Sequence, residues 1–125
     1  MTRRTISSGS PWEGPYGYSR AIVVGNACWV AGTADPTGRH PGDAAGQARE
    51  ILAIIERALG EAGFRLDDVV RTRMYLTEAS DAAAVASVHG EVFGAIRPAS
   101  TLVVVRALIA PDLLVEIEVD AVREG

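Results

Sequence analysis

The chain has 125 residues, 48% of them apolar, which is enough for one domain with its own core, so a single domain over 1–125 is expected. Net charge is −4, there is no lysine and all 12 basic residues are arginine, a balance that argues against a protein tracking nucleic-acid phosphates with clustered cations. The lone Cys28 excludes an internal disulfide framework and fits a reducing, cytoplasmic setting. No apolar run reaches membrane-spanning length, and MTRRTISSGSP has no apolar core of a signal peptide.

Met1 to Glu13 is polar, with Arg4 to Ser7 as a short edge strand. Tyr18 to Val24 reads as a strand, Gly25-Asn26 as a two-residue hairpin turn and Ala27 to Ala31 as the returning strand. Gly32 to Gly42 is a loop rich in turn residues. Asp43 N-caps a helix to about Ala62, with Ala44, Ala48, Ile51, Leu52, Ile55, Ala58 and Leu59 on one face, Gln47 on the wetter side and Gly63 as its C′ glycine.

Val69 to Leu76 follows as a strand, with Val70, Thr72, Met74 and Leu76 facing one way and Arg71, Arg73 and Tyr75 the other. Ser80 or Asp81 caps a second helix to about Phe93, stopped by Gly94. Leu102 to Val105 is apolar on both faces, so it reads as a central strand needing cover on both sides. Val115 to Val122 alternates, with Glu116, Glu118 and Asp120 on one face. The order β-β-α-β-α-β-β predicts an α+β fold, a mixed sheet with two helices on one face. Its other face lacks cover in one subunit, so further subunits are expected to supply it.

No G-x-S-x-G, Walker loop, H-E-x-x-H or C-x-x-C occurs. His40 and His89 are far apart with no third ligand near either, so no metal or organic cofactor is expected. The three carboxylates of the last strand are the best chemical signal. On a solvated face they would do nothing. In a pocket, desolvation would raise the pKa of Glu116 and suit it to hold a water or exchange a proton. Ser100 and Thr101 form either a turn leading into the buried strand or hydrogen bonds to a substrate. Tyr18 and Arg20 share a strand face, and Arg97 and Arg106 flank the central strand.

Taken together, Gly17-Tyr18-Ser19-Arg20-Ala21, Val24-Gly25-Asn26, Val30-Ala31-Gly32, Asp67 to Thr72, Arg97-Pro98-Ala99 and Val115-Glu116-Ile117-Glu118 are specific. With them the chain resembles the RidA/YjgF family of reactive-intermediate (enamine/imine) deaminases, the L-PSP endoribonuclease-like proteins. That resemblance implies chorismate-mutase-like subunits in a homotrimer, with a central barrel and clefts between subunits.

By the same resemblance, counting back from the Gly25-Asn26 hairpin places the site tyrosine at Tyr18 rather than Tyr16, and the site glutamate at Glu116. The family's substrate-binding arginine follows Pro-Ala, and here Ser100 stands there. Ala31 replaces a usual serine, and Ala86 a helix asparagine used by some members. A serine cannot make the charge-assisted bidentate contact of an arginine, whose loss at a buried site is worth roughly 2–5 kcal/mol. The chain therefore looks like a branch without that arginine.

The function so implied is hydrolysis of, or water addition to, small imine- or enamine-like metabolites. Glu116 is its catalytic residue, with Tyr18, Arg20, Ser100, Thr101 and Arg106 around the substrate and Arg20 as the replacement cation. A non-catalytic ligand-binding or chaperone-like trimer is the alternative, and RNA cleavage a third reading that the acidic charge disfavours. The expected partners are a small metabolite and further copies of the chain, with no nucleic acid and no membrane.

Overall fold

The structure, a computed structural model, describes residues 2–124. Strand β1 (Arg3–Ile6) leads through a one-turn helix α1 (Glu13–Tyr16) to the hairpin β2 (Ala21–Val24) and β3 (Ala27–Thr33). Helix α2 (Ala44–Glu61), strand β4 (Val69–Leu76), helix α3 (Ala82–Phe93), β5 (Ala99–Val104) and β6 (Val115–Val122) follow. The six strands form one mixed sheet in the order β1-β2-β3-β6-β4-β5, with β4 and β5 parallel and the other pairs antiparallel. Helices α2 and α3 cover one face of the sheet. Among the described residues no helix is long and apolar enough to cross a membrane.

Local sequence accounts for most of these boundaries. The Gly25-Asn26 turn pairs Val24 with Ala27, and Gly25 alone of the two takes positive φ, at 60°. The Asp43 side chain accepts from the Gly46 N–H and so caps α2, and Gly63 follows its last turn at φ 85°. Ile51, Ile55 and Leu59 of α2 meet Val85 and Val88 of α3 and the inward residues Val115, Ile117, Val119 and Ala121 of β6 in one buried core. Cys28 is buried there as a free thiol.

Four expectations change. First, the run Leu102 to Val105 does not form the central strand. A parallel crossover through α3 carries β5 to the outside of β4, because β6 already occupies the other side. Val103 and Val104 are therefore exposed, and β6 is the strand buried at the centre. Second, the register shift between Val69 and Arg71 turns Val69 inward and leaves Val70 exposed.

Third, Gln47 is buried, not wet. Its amide donates to the carbonyls of His40 (3.1 Å) and Asp112 (3.1 Å) and accepts from the Leu114 N–H (2.9 Å), tying the β5–β6 loop to α2. Fourth, Asp81 stands at the N-cap of α3 but makes no capping bond, and Gly94 keeps right-handed backbone. The left-handed residue after α3 is Arg97 (φ 58°), whose N–H closes onto the Phe93 carbonyl at 2.8 Å.

Candidate functional site

The alternation of β6 that buries Val115 and Ile117 sends Glu116 to the opposite, uncovered face. Glu116 pairs in register with Tyr75 of β4, and Glu118 with Arg73. Tyr75 donates a hydrogen bond to Glu118, which raises the Tyr75 pKa, and Arg73 Nη1 lies 3.5 Å from Asp120 Oδ2. The three carboxylates are thus differentiated: Glu118 is engaged by a phenol and Asp120 by a guanidinium. Glu116 makes no hydrogen bond or ion pair among the described residues.

Glu116 lies beside β3, against Gly32. A Cβ at residue 32 would fall 2.2 Å from Glu116 Oε2, so only glycine leaves the carboxylate where it is. Half-burial there raises the Glu116 pKa, with repulsion from Glu118 adding to it and the charge of Arg20 opposing it. A carboxyl shifted upward in this way is suited to taking up and returning a proton.

Glu116 opens into a cleft of ≈ 690 Å³ that Tyr18 and Arg20 also line. Both precede β2 rather than lying within it, so they do not share a strand face, and the Arg20 Cζ lies 6.0 Å from the Tyr18 ring centroid. Arg20 Nη1 donates to the Gly32 carbonyl (3.2 Å) and to Thr33 Oγ1 (2.7 Å). Tyr18 Oη lies 3.3 Å from Ser10 Oγ. Tyr16, the rival tyrosine, is 72% exposed, stacks on Trp12 and is not part of the cleft wall.

Within one chain, Ser100, Thr101 and Arg106 stand away from this cleft. Ser100 and Thr101 are consecutive in β5 and point to opposite faces of the sheet. Ser100 Oγ lies 2.8 Å from Thr72 Oγ1, which is itself 2.8 Å from His89 Nε2. Burial lowers the His89 pKa. Thr101 pairs with Arg73 on the open face, and Arg106 is exposed in the loop after β5. His40 lies 3.2 Å from Glu50, apart from His89, and no group of three or more metal-ligating side chains occurs among the described residues.

Gly32, Asp35, Trp12 and Ile109 also line the cleft, and sequence reading gave none of them a role there. The segment Val30-Ala31-Gly32 did carry a signal: a glycine near the end of a strand marks a bulge or a close approach, and here it is the approach of Glu116.

A six-stranded mixed sheet backed by two helices, with a half-buried carboxyl on its open face, defines an α+β class shared with YjgF-type structures. A crystal structure of a YjgF/YER057c/UK114 family member from Mycobacterium tuberculosis superposes with a TM-score of 0.91 at 50% identity, covering 98% of this chain and 100% of that one. A RutC family protein of Pyrococcus horikoshii is 40% identical over 111 residues, 86% of this chain and 87% of that protein. The 3-aminoacrylate deaminase RutC of Acinetobacter baylyi is 41% identical over 78 residues, 62% of this chain and 61% of that protein. Residues 13–123 match the family described as Endoribonuclease L-PSP, and the chain belongs to that family, which takes in the RidA/YjgF proteins.

Proposed function

We propose that the chain is a cofactor-independent enzyme that adds water to small, reactive imines or enamines and releases ammonia. The observation carrying this reading is Glu116: half-buried, raised in pKa, unpaired among the described residues, and set against Gly32 in the cleft that Tyr18 and Arg20 line. The resemblance to a relative named as a 3-aminoacrylate deaminase supports it.

In the reaction Glu116 accepts a proton from water as the water oxygen bonds to the imine carbon. The C=N π pair moves to nitrogen, which takes that same proton from Glu116 and gives the carbinolamine. The Glu116 carboxylate then accepts the carbinolamine hydroxyl proton and passes it to nitrogen as the C–N bond breaks, leaving a carbonyl product and ammonia. The substrate is already prone to hydrolysis, so positioning and proton transfer suffice.

The working unit is a homotrimer in which open sheet faces form a central barrel and clefts lie between subunits. An edge strand with exposed Val103 and Val104 is a template for association and supports this arrangement. β5 of a neighbour would then bring Ser100, Thr101 and Arg106 to the cleft of Glu116. The test is ammonia release from imines generated in situ by an amino-acid oxidase. Wild type accelerates release and Glu116→Ala does not; equal release by both removes Glu116 from the mechanism.

A second reading is a ligand-binding trimer without turnover. It is favoured by Ser100, whose hydroxyl is turned to Thr72 and His89 where the family resemblance expects a cation. Thermal stabilisation by 2-oxo acids without ammonia release supports this reading. RNA cleavage is suggested only by the family description and disfavoured by the net charge of −4.

A further inference from the structure

The buried face of β4 is apolar at Met74 and Leu76 and polar at Thr72, which is fully buried. A valine has the same shape and no hydroxyl to desolvate, so the Thr72 hydroxyl weighs against folding unless its bonds are made. Two are made. Thr72 Oγ1 donates to Ser100 Oγ of β5 at 2.8 Å, and it lies 2.8 Å from His89 Nε2 of α3.

A hydroxyl has one proton to give. Thr72 gives its proton to Ser100, so the contact with His89 runs the other way: Nε2 carries a hydrogen and donates it to Thr72. Burial holds the His89 pKa down, so at pH 7.5 the ring is neutral, that hydrogen is its only one, and Nδ1 is bare. A second proton would go to Nδ1 and leave the direction unchanged. The ring packs against Phe93, with centroids 4.8 Å apart.

The donors therefore run from His89 through Thr72 and end at Ser100. The Ser100 oxygen has accepted one bond, and its own hydrogen has no acceptor among the described residues. The residue is exposed on the edge strand. A hydroxyl whose oxygen already accepts a bond is polarised and donates its own hydrogen more strongly.

We infer that Thr72 and His89 are positioning residues: they set Ser100 as a one-way hydrogen-bond donor, and the molecule held against β5 meets it with an acceptor oxygen. This rests on the reading that β5 of one subunit borders a neighbour's cleft. At the place where the family resemblance expects a cation, the chain then offers an uncharged donor whose direction is fixed by two residues from other elements.

Two measurements test this. The first needs no ligand. With histidine nitrogens isotopically labelled, nuclear magnetic resonance at pH 7.5 reads both imidazoles, and His89→Phe identifies the signals of His89. Its proton sits on Nε2, and in Thr72→Val that N–H signal shifts because its acceptor is gone. A proton on Nδ1, or an Nε2–H signal indifferent to Thr72→Val, overturns the inference.

The second is calorimetric binding of 2-oxobutyrate. Ser100→Ala, Thr72→Val and His89→Phe each weaken binding about three- to tenfold, the effect of one hydrogen bond, and Thr72→Ser binds as wild type does. Thr72→Val/Ser100→Ala binds no more weakly than Ser100→Ala alone, because both changes act on one proton. A loss caused only by disturbed packing would instead add to that of Ser100→Ala. Additive losses, undiminished binding by Thr72→Val, or no binding by wild type overturn the inference. The expected pattern without ammonia release would end the hydrolytic reading and leave this one standing. Ammonia release by wild type, with binding indifferent to Thr72→Val, would do the reverse.

Discussion

Gly32→Ala tests whether the Glu116 carboxyl must sit where it does. The new methyl would lie 2.2 Å from Oε2 and 3.2 Å from Cδ, so the oxygen has to retreat by about 1.2 Å to reach an ordinary contact at 3.4 Å. Gly32 has no positive φ, and the obstructing atom ends a flexible, half-buried side chain, so the fold absorbs the change. The stability cost of rotating Glu116 is about 1 kcal/mol or less, and the entropy removed from the unfolded chain offsets it by about 0.4–1 kcal/mol.

Catalysis is less forgiving. A reacting group displaced by ~1 Å loses about a hundredfold in rate, or about 2.7 kcal/mol of barrier. The expected result is therefore a kcat for ammonia release about a hundredfold below wild type with a nearly unchanged melting temperature. The double variant Gly32→Ala/Glu116→Ala should be no slower than Glu116→Ala alone, because the methyl acts only through the carboxyl. A Gly32→Ala enzyme within threefold of wild type would refute the claim that the placement of Glu116 matters, as would additive losses in the double variant.

Two further expectations concern pH and stability. Burial and the neighbouring Glu118 raise the Glu116 pKa above its value in the unfolded chain, so its ionised form weighs against the folded state at neutral pH and that penalty disappears once the group is protonated. Glu116→Gln should therefore melt higher than wild type at pH 7–8 and at the same temperature near pH 3; a difference independent of pH would contradict the shift. His89 is lowered by burial, so the stability it contributes is present above its ordinary pKa of 6.5 and lost as pH falls through its folded value. Wild type should lose more stability than His89→Asn between pH 7.5 and 5, measured by urea unfolding, and parallel losses would argue against a buried neutral imidazole.

Most of the fold was legible because its signals are local. The hairpin turn at Gly25-Asn26, the Asp43 cap and the alternation of Val115 to Val122 each depend on a few neighbouring residues and a fixed period. The misplacement of β5 has a different origin. An apolar run on both faces of a strand states that both faces are covered, but not whether the cover comes from the same chain. In this subunit β5 is an edge strand with Val103 and Val104 exposed, so the run does not mark the centre of the sheet. Gln47 escaped notice for a related reason: whether an amide on a helix is wet or buried depends on the loop that crosses it, here the one holding Asp112 and Leu114.

The cleft was legible in its ends and not in its middle. Strand alternation set Glu116 on one face with Glu118 and Asp120, the resemblance matched it to the site glutamate, and the resemblance and the distance from the hairpin marked Tyr18, since both kinds of evidence lie along the chain. What makes Glu116 different from Glu118 and Asp120 is lateral: a phenol from β4 takes one, a guanidinium from β4 approaches another, and Gly32 from β3 makes room for the third. Three carboxylates spaced two apart are equivalent in sequence, and only the neighbouring strands break the tie. The same holds for Arg20, which is one of 12 arginines in the chain until Gly32 and Thr33 take up one side of its guanidinium. The chemistry of this sheet is therefore set by which strand lies beside which, so a change on β3 at Gly32 should be felt at Glu116 on β6 more strongly than most changes within β6 itself.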